Sequence, residues 1–430
     1  MSCCCCCCHS SEGQIVGRNL EFDYLNIDLS SYANPSTGVI PEIHAIVAAT
    51  IDGVHTYVLV GGRGSIVIVT ENANGNYVCK FINIDSTYNS HSIVYGNGYF
   101  VLATQGGRIT YSKDLQNWII YTEKYTKTSS SHYSICYDKD MDRYVAVGYD
   151  HKVSVFKIVN DKITDYETDQ NTYTTSGSDG YVENQIRFII YDDKNKRYVA
   201  VGENNKIRYC SSSLSNTDVT NFNKKWTDCA PTKITHPNGT TYGFQSIVYN
   251  KNDDIYVVVG NDGIIIYNDK DLNPENWRIS DSGLYDNALD YATKKEQNIR
   301  IELQGISYDY INKLYVCAGW NNVVLYTDDL TKRWNRSPVF GQTKTSYQFV
   351  INDVNGKILI AGGNAMMVNR SVSDVIRPSG LTNELLNKMM PLGFQIKRYS
   401  QYNPYNMYFF GSWIEDYDSS TKIFTYTRIA

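Results

Sequence analysis

Two stretches carry the reading of the fold: "RYVAVGYDHKVSV" at 143–155 and "RYVAVGENNKIRY" at 197–209. Each is an apolar run that ends in a small residue, passes through a polar turn and resumes as a second β-rich run. A tight hairpin gives this local signature. Loosening the pattern finds seven copies, aligned on Tyr57, Tyr99, Tyr144, Tyr198, Tyr256, Tyr315 and Ile358. They recur every roughly 42 to 59 residues, the period of propeller blades with their loops. Several copies begin one strand earlier, as in "HSIVYGNGYF", "HYSICYDKDMDRYVAVG", "RFIIYDDKNKRYVAVG", "QSIVYNKNDDIYVVVG" and "QGISYDYINKLYVCAG". Four copies add an outer strand beside Trp118, Trp226, Trp277 or Trp334.

The expected fold is therefore all-β: a propeller of seven four-stranded antiparallel blades. The nearly all-apolar second strand should be buried on both faces between neighbouring blades. Gly61, Gly148, Gly202, Gly260, Gly319 and Gly362 follow it, where a bend or a close backbone approach leaves no room for a side chain. Residues 46–380 hold the repeats, and 14–45 supply an N-terminal segment. Within it "LEFDYLNIDL" at 20–29 is placed as the outer strand of the last blade, closing the ring and removing a sheet edge. Residues 381–430 should form a helix, "LTNELLNKMM", capped by Thr382 and stopped by Pro391, then three strands. That segment is a docking element, or an irregular eighth blade if the count is eight.

Composition limits the function. With 40 basic and 45 acidic residues the net charge is -5, which provides no broad basic field, so nucleic-acid binding is not expected. No stretch of eighteen apolar residues occurs and no secretory pattern opens the chain, so neither membrane insertion nor ordinary export is expected. Six of the eleven cysteines lie in "CCCCCCH" at 3–9, read as a tract outside the fold at 1–13. Cys5, Cys8 and His9 match the haem-attachment spacing, a match that six contiguous cysteines create by accident. No cofactor and no metal are expected. The acidic turns "YDDKNK", "NKNDD" and "NDKDLN" are read as inter-strand turns whose Asp and Asn side chains accept local backbone N–H groups, not as Ca²⁺ sites.

Two turns, "SKDLQNW" with Ser112, Asp114 and Trp118, and "TDDLTKRW" with Thr327, Asp329 and Trp334, resemble the Asp box of sialidase-like (BNR) propellers. "NDKDLNPENW", ending at Trp277, is a longer relative. The usual glycine inside the box is missing from all three. The resemblance implies a structural role for these residues, since the Asp of the box holds its own turn, and no catalysis. Sialidases of that group use an arginine triad with carboxylates and a tyrosine. Arg63, Arg108, Arg187, Arg208 and Arg300 lie in or near repeats here, but no FRIP-like motif accompanies them, and no phosphate loop, H-E-x-x-H or G-x-S-x-G occurs.

No catalytic residue can be named, and attention moves to three long inserts after the third, fourth and fifth repeats, rich in Tyr, Asn, Thr and Asp. These are expected to be rim loops that bind partners. The chain resembles phage tail proteins in its degenerate propeller repeats and in a composition with 37 tyrosines and abundant Asn, Lys and Ile, as an A/T-rich genome encodes. The resemblance implies a non-enzymatic virion component of a tailed phage, a tail or receptor-binding protein working in multiple copies. Its partners would be other virion or tail proteins, or a host surface glycan or protein. The rival readings are a glycan-cleaving or glycan-binding secreted propeller, and an intracellular protein-interaction scaffold; the Gly-His and Trp-Asp signatures of WD repeats are absent.

Overall fold

The computed structural model describes residues 14–72, 74, 76–122, 131–168, 185–236, 241–284, 302–321, 323–337, 347–353, 356–377, 390, 395–398, 413–418 and 423–428. Cys3 to Cys8, His9, Arg300 and the expected helix at 381–390, Met390 excepted, lie outside them. Seven four-stranded antiparallel sheets make the blades of a β-propeller. Their first strands are Ile43–Ile51, Ser90–Gly96, His132–Asp138, Ile186–Asp192, Phe244–Asn250, Leu303–Asp309 and Phe349–Asn352. Each touches the first strands of both neighbouring blades, so the seven form the innermost ring. Ring closure is visible in one buried cluster that joins Ile43, Ile46, Tyr57 and Leu59 of blade 1 to Leu359, Ala361 and Met366 of blade 7. The Ile43 amide also donates to Gly363 O at 2.8 Å.

The second strands, Arg143–Gly148 and Arg197–Gly202 among them, are buried along nearly their whole length. Val145, Ala146, Val147, Val199, Ala200 and Val201 are fully inaccessible. Sheets stacked on both faces explain why the motif reads as a continuous apolar run. The glycine that ends it faces a backbone carbonyl. A Cβ on Gly148 would lie 2.0 Å from Ser131 O, and one on Gly319 would lie 1.9 Å from Glu302 O. The residue after each glycine donates its amide to that same carbonyl, as Tyr149 N does to Ser131 O at 3.0 Å and Trp320 N to Glu302 O at 2.9 Å.

Outer strands differ between blades. Ile119–Thr122, Thr227–Asp228, Arg278–Ile279 and Asn335–Arg336 each follow a Trp directly. Blades 1 and 3 use longer outer strands, Tyr77–Asn83 and Lys162–Thr168. The seventh sheet takes its outermost strand from Gln14–Asn26, at the other end of the chain.

Two of the expected rim loops are corrected. The insert after the third repeat supplies the blade 3 outer strand through Thr168, and its remainder at 169–184 lies outside the described residues. The insert after the fourth repeat folds into short helices, Asn216–Thr220 and Phe222–Lys225, with Ser215 Oγ accepting the Asp218 amide at 3.1 Å. Val219 and Phe222 are fully buried and join Trp226 in the cluster between blades 3 and 4. An apolar pair three residues apart filled a core position that the polar composition concealed. The insert after the fifth repeat falls mainly on 285–301, outside the described residues.

By compactness the chain divides into two units, 24–334 with 342–368, and 1–23 with 335–341 and 369–430. The second contains a three-stranded sheet in which Ile423–Arg428 lies between Gln395–Arg398 and Trp413–Asp418.

Candidate functional site

The first strand of blades 1 to 6 starts with the same irregularity. Pairing with the second strand slips between Ile43 and Ala45, Ser90 and Ser92, His132 and Ser134, Ile186 and Phe188, Phe244 and Ser246, and Leu303 and Gly305. A β-bulge leaves one residue unpaired and re-aims its side chain. The bulged residues are His44, His91, Tyr133, Arg187, Gln245 and Gln304, and Gln348 holds the corresponding place in blade 7. All seven are half-exposed, whereas the residue preceding each is buried. Because the first strands form the innermost ring, the six bulged residues and Gln348 stand together at one end of it, its mouth.

The ring has two unlike halves. Across blades 1 to 4, His44 stacks on His91 with centroids 5.6 Å apart, and His91 meets Tyr133 edge-on at 5.3 Å. The Arg187 guanidinium lies over Tyr133, 5.2 Å from the ring centroid. Across blades 5 to 7 stand three glutamines. Gln245 donates Nε2–H to Asn261 Oδ1 at 2.7 Å, and Gln304 donates to Glu302 Oε2 at 3.1 Å.

Both histidines are held neutral. His44 Nδ1 donates to Ser90 O at 3.0 Å, and burial lowers the basicity of its ring. His91 is pushed down to about 3 by burial first, then by His44 and the positive Arg187. Arg187 is balanced by Glu203, whose buried Oε1 accepts its Nε–H at 2.9 Å. The ring is thus polar, with the Arg187 charge paired to Glu203 and the Glu302 carboxylate on Gln304.

The positions that follow the seven pack between neighbouring blades. The next positions are small in five blades: Ala45, Ser92, Ser134, Ser246 and Gly305. A Cβ on Gly305 would lie 2.8 Å from Gln348 O and Val350 N, so this position points into the neighbouring backbone. Blades 4 and 7 carry Phe188 and Phe349 instead, and the two rings meet with centroids 5.6 Å apart.

The residues singled out in the sequence sit elsewhere. Asp114 Oδ1 accepts the Gln116 and Asn117 amides at 2.9 and 2.7 Å, and Ser112 Oγ accepts the Leu115 amide at 3.0 Å. Those backbone bonds hold the Asp114 carboxyl well below the usual range. Asp329 Oδ1 accepts the Thr331 amide at 3.0 Å, and Thr327 Oγ1 accepts the Asp329 amide at 3.1 Å. Trp118 is half-exposed; Trp334 is buried and donates its indole N–H to Ser280 Oγ of blade 5 at 2.8 Å. The two groups lie in blades 2 and 6, each within its own turn.

The acidic turns likewise bind their own backbones: Asp192 Oδ1 accepts the Lys194 and Asn195 amides at 3.1 and 2.9 Å, and Asn250 Oδ1 accepts the Asn252 amide at 3.0 Å. No cluster of three or more metal-ligating side chains occurs among the described residues. Nor do Arg63, Arg108, Arg187 and Arg208 share a partner among the described residues. Arg108 bonds Asp85 at 2.8 Å and covers Tyr88, Arg208 reaches Asp228 at 3.4 Å, and the Arg63 amide donates to Asn89 Oδ1. No described helix is long and apolar enough to cross a membrane.

No protein-family model matches the sequence, and no curated protein matches it. The fold is similar to that in the structure titled "YCF48 bound to D1 peptide", with a TM-score of 0.56 and 11% identity over 81% of this chain and 95% of that one. It is similar also to the WD40 β-propeller domain of Doa1, with a TM-score of 0.55 and 11% identity over 83% of this chain and 97% of that one. At these identities the likeness is one of fold: a seven-bladed β-propeller.

Proposed function

We propose that the chain is a non-enzymatic binding module that takes a polypeptide partner at the mouth of the innermost ring. One observation carries this reading: successive blades each spend the same structural irregularity on placing a polar or aromatic, half-exposed side chain around one opening. Flat aromatic surface and amide groups together suit a polypeptide, whose side chains stack and whose backbone needs donors and acceptors. The structure of YCF48 bound to a D1 peptide, similar in fold, supports a polypeptide ligand for this fold.

Within that reading we place the protein in the virion of a tailed phage, as a tail or receptor-binding component in several copies. Composition and the degenerate Asp-box-like turns support this placement, and weak contacts multiplied by copy number would give firm attachment. The test is binding of the purified full chain to a random dodecapeptide display library and to a glycan array, with His91→Ala and Gln304→Ala as mouth variants and Val78→Ala on the outer strand of blade 1 as control. Peptide binding lost in the mouth variants and kept in the control is expected. Binding confined to glycans, or indifferent to both mouth variants, overturns the reading.

A further inference from the structure

The seven mouth positions are chemically unequal, and Arg187 is the one charged residue among them. Its geometry is fixed from two sides. Nε–H is committed to Glu203 Oε1 at 2.9 Å, and the guanidinium carbon lies over the Tyr133 ring, 5.2 Å from its centroid. Among the described residues neither Nη group makes a hydrogen bond, and the side chain keeps 29% of its exposure. A planar donor fork is therefore held in place on a partly exposed side chain, with both Nη groups left to donate.

Glu203 is itself positioned. Its side chain is 8% exposed, and its amide donates to Gln185 O at 3.0 Å. Above Gly243 the space belongs to this carboxylate: a Cβ there would lie 2.3 Å from Glu203 Oε2 and 2.7 Å from Asn261 Nδ2. Asn261 in turn fixes Gln245. Arg187, Glu203, Asn261 and Gln245 thus make a contiguous polar edge across blades 4 and 5.

We infer that Arg187 is the specificity-determining contact of the mouth, and that Glu203 makes it read a neutral carbonyl acceptor of a polypeptide, not a carboxylate. The inference rests on the polypeptide-binding reading above. A lone guanidinium prefers a carboxylate, which it binds bidentately. Here a negative charge already sits against Nε, so an incoming carboxylate would face Glu203 at short range in a partly desolvated site. A carbonyl oxygen accepts from the same fork without that repulsion. Glu203 is a positioning residue: it acts on ligand choice through Arg187.

The experiment pans the full chain with a random dodecapeptide display library as wild type, Arg187→Lys and Glu203→Gln, and measures affinities of resynthesised peptides with amidated C-termini. Peptides selected by the wild type should show no enrichment of Asp or Glu and should bind Arg187→Lys more weakly by about tenfold or more, since the fork is lost while the charge stays. The Glu203→Gln pool should shift toward Asp and Glu, an effect that loss of structure alone does not produce. Peptides that lose binding in His91→Ala but are indifferent to Arg187→Lys overturn the inference and leave the polypeptide reading standing, as does a Glu203→Gln pool that stays neutral. Absence of peptide binding, or binding indifferent to every mouth variant, overturns both.

Discussion

Phe188 and Phe349 are 161 positions apart in sequence and belong to blades 4 and 7, yet their rings meet with centroids 5.6 Å apart at an interplanar angle of 52°. The pair spans the innermost ring at two positions where five other blades carry Ala, Ser or Gly. Tilted aromatic pairs of this separation contribute about 0.5–1.5 kcal/mol beyond the area they bury. A double-mutant cycle of Phe188→Ala and Phe349→Ala, followed by urea unfolding, should return a coupling energy of that size. Strict additivity would show that the rings stabilise the ring of blades independently.

The glycine that closes the second strand is set by contact with a carbonyl. Gly319 lies at a point where a methyl group would press on Glu302 O, and the neighbouring Trp320 amide pins that carbonyl. Neither backbone can retreat without breaking a bond between the first and second strands. Gly319→Ala should therefore cost about 2–3 kcal/mol, the scale of overpacking in a filled interior. Urea unfolding checks it, and a loss below about 0.5 kcal/mol would mean that the strands part more easily than this contact implies.

Much of the fold was legible because it repeats. Apolar second strands are pressed between similar neighbours and so keep similar sequences, as Val145, Ala146 and Val147 match Val199, Ala200 and Val201. Trp226, Trp277 and Trp334 marked outer strands because each buries its ring and donates its indole N–H to a fixed acceptor, Val219 O, Cys229 O and Ser280 Oγ. The mouth was hidden for the converse reason. His44, His91, Tyr133 and Arg187 face an opening, so nothing holds their identities alike. The only sign was an odd polar letter ahead of "SIVY", "SICY", "FIIY" and "GISY", and the slip that aims it is a property of pairing. Phe222 was concealed differently, by a polar surrounding that looked like loop.

The repeated arginine of "RYVAVG" has a shared structural task. Arg143 donates Nε–H to Tyr198 Oη at 2.8 Å, Nη1–H to Leu214 O at 3.0 Å and Nη2–H to Ser212 O at 2.7 Å, beside the buried Asp138 that accepts from Tyr198. One blade later Arg197 repeats this with Tyr256 and Asp192. Arg143→Leu leaves the buried Asp138 charge without its cation and the Leu214 and Ser212 carbonyls without their donor, and should destabilise by about 3–5 kcal/mol. Lys139→Ala removes an exposed pair with Asp193 and should cost less than about 1 kcal/mol. Unfolding of both variants decides, and equal losses would refute the burial argument.

Acid should weaken the fold through buried imidazoles before it reaches the carboxylates. His151 is pushed down to about 3, by burial first and then by the positive Lys206 and Arg208, and it stacks on the buried Phe222 with centroids 5.6 Å apart. In the unfolded chain a histidine titrates near its ordinary value of about 6.5. Between these two values the unfolded state binds a proton that the folded state refuses, so stability is fully present above about pH 6.5 and falls as the pH drops toward 3. The fall from one such group approaches about 1.4 kcal/mol per pH unit inside that window. His132, buried against Ser154 Oγ at 2.9 Å and lowered well below its ordinary value by burial, acts in the same direction. Asp114, held low by backbone bonds, begins to lose its contribution only below its ordinary value of 3.8. Urea unfolding of wild type and His151→Gln between pH 7 and 4.5 should therefore show a steeper decline in the wild type, with the two curves converging as the pH falls; parallel curves would remove His151 from the account.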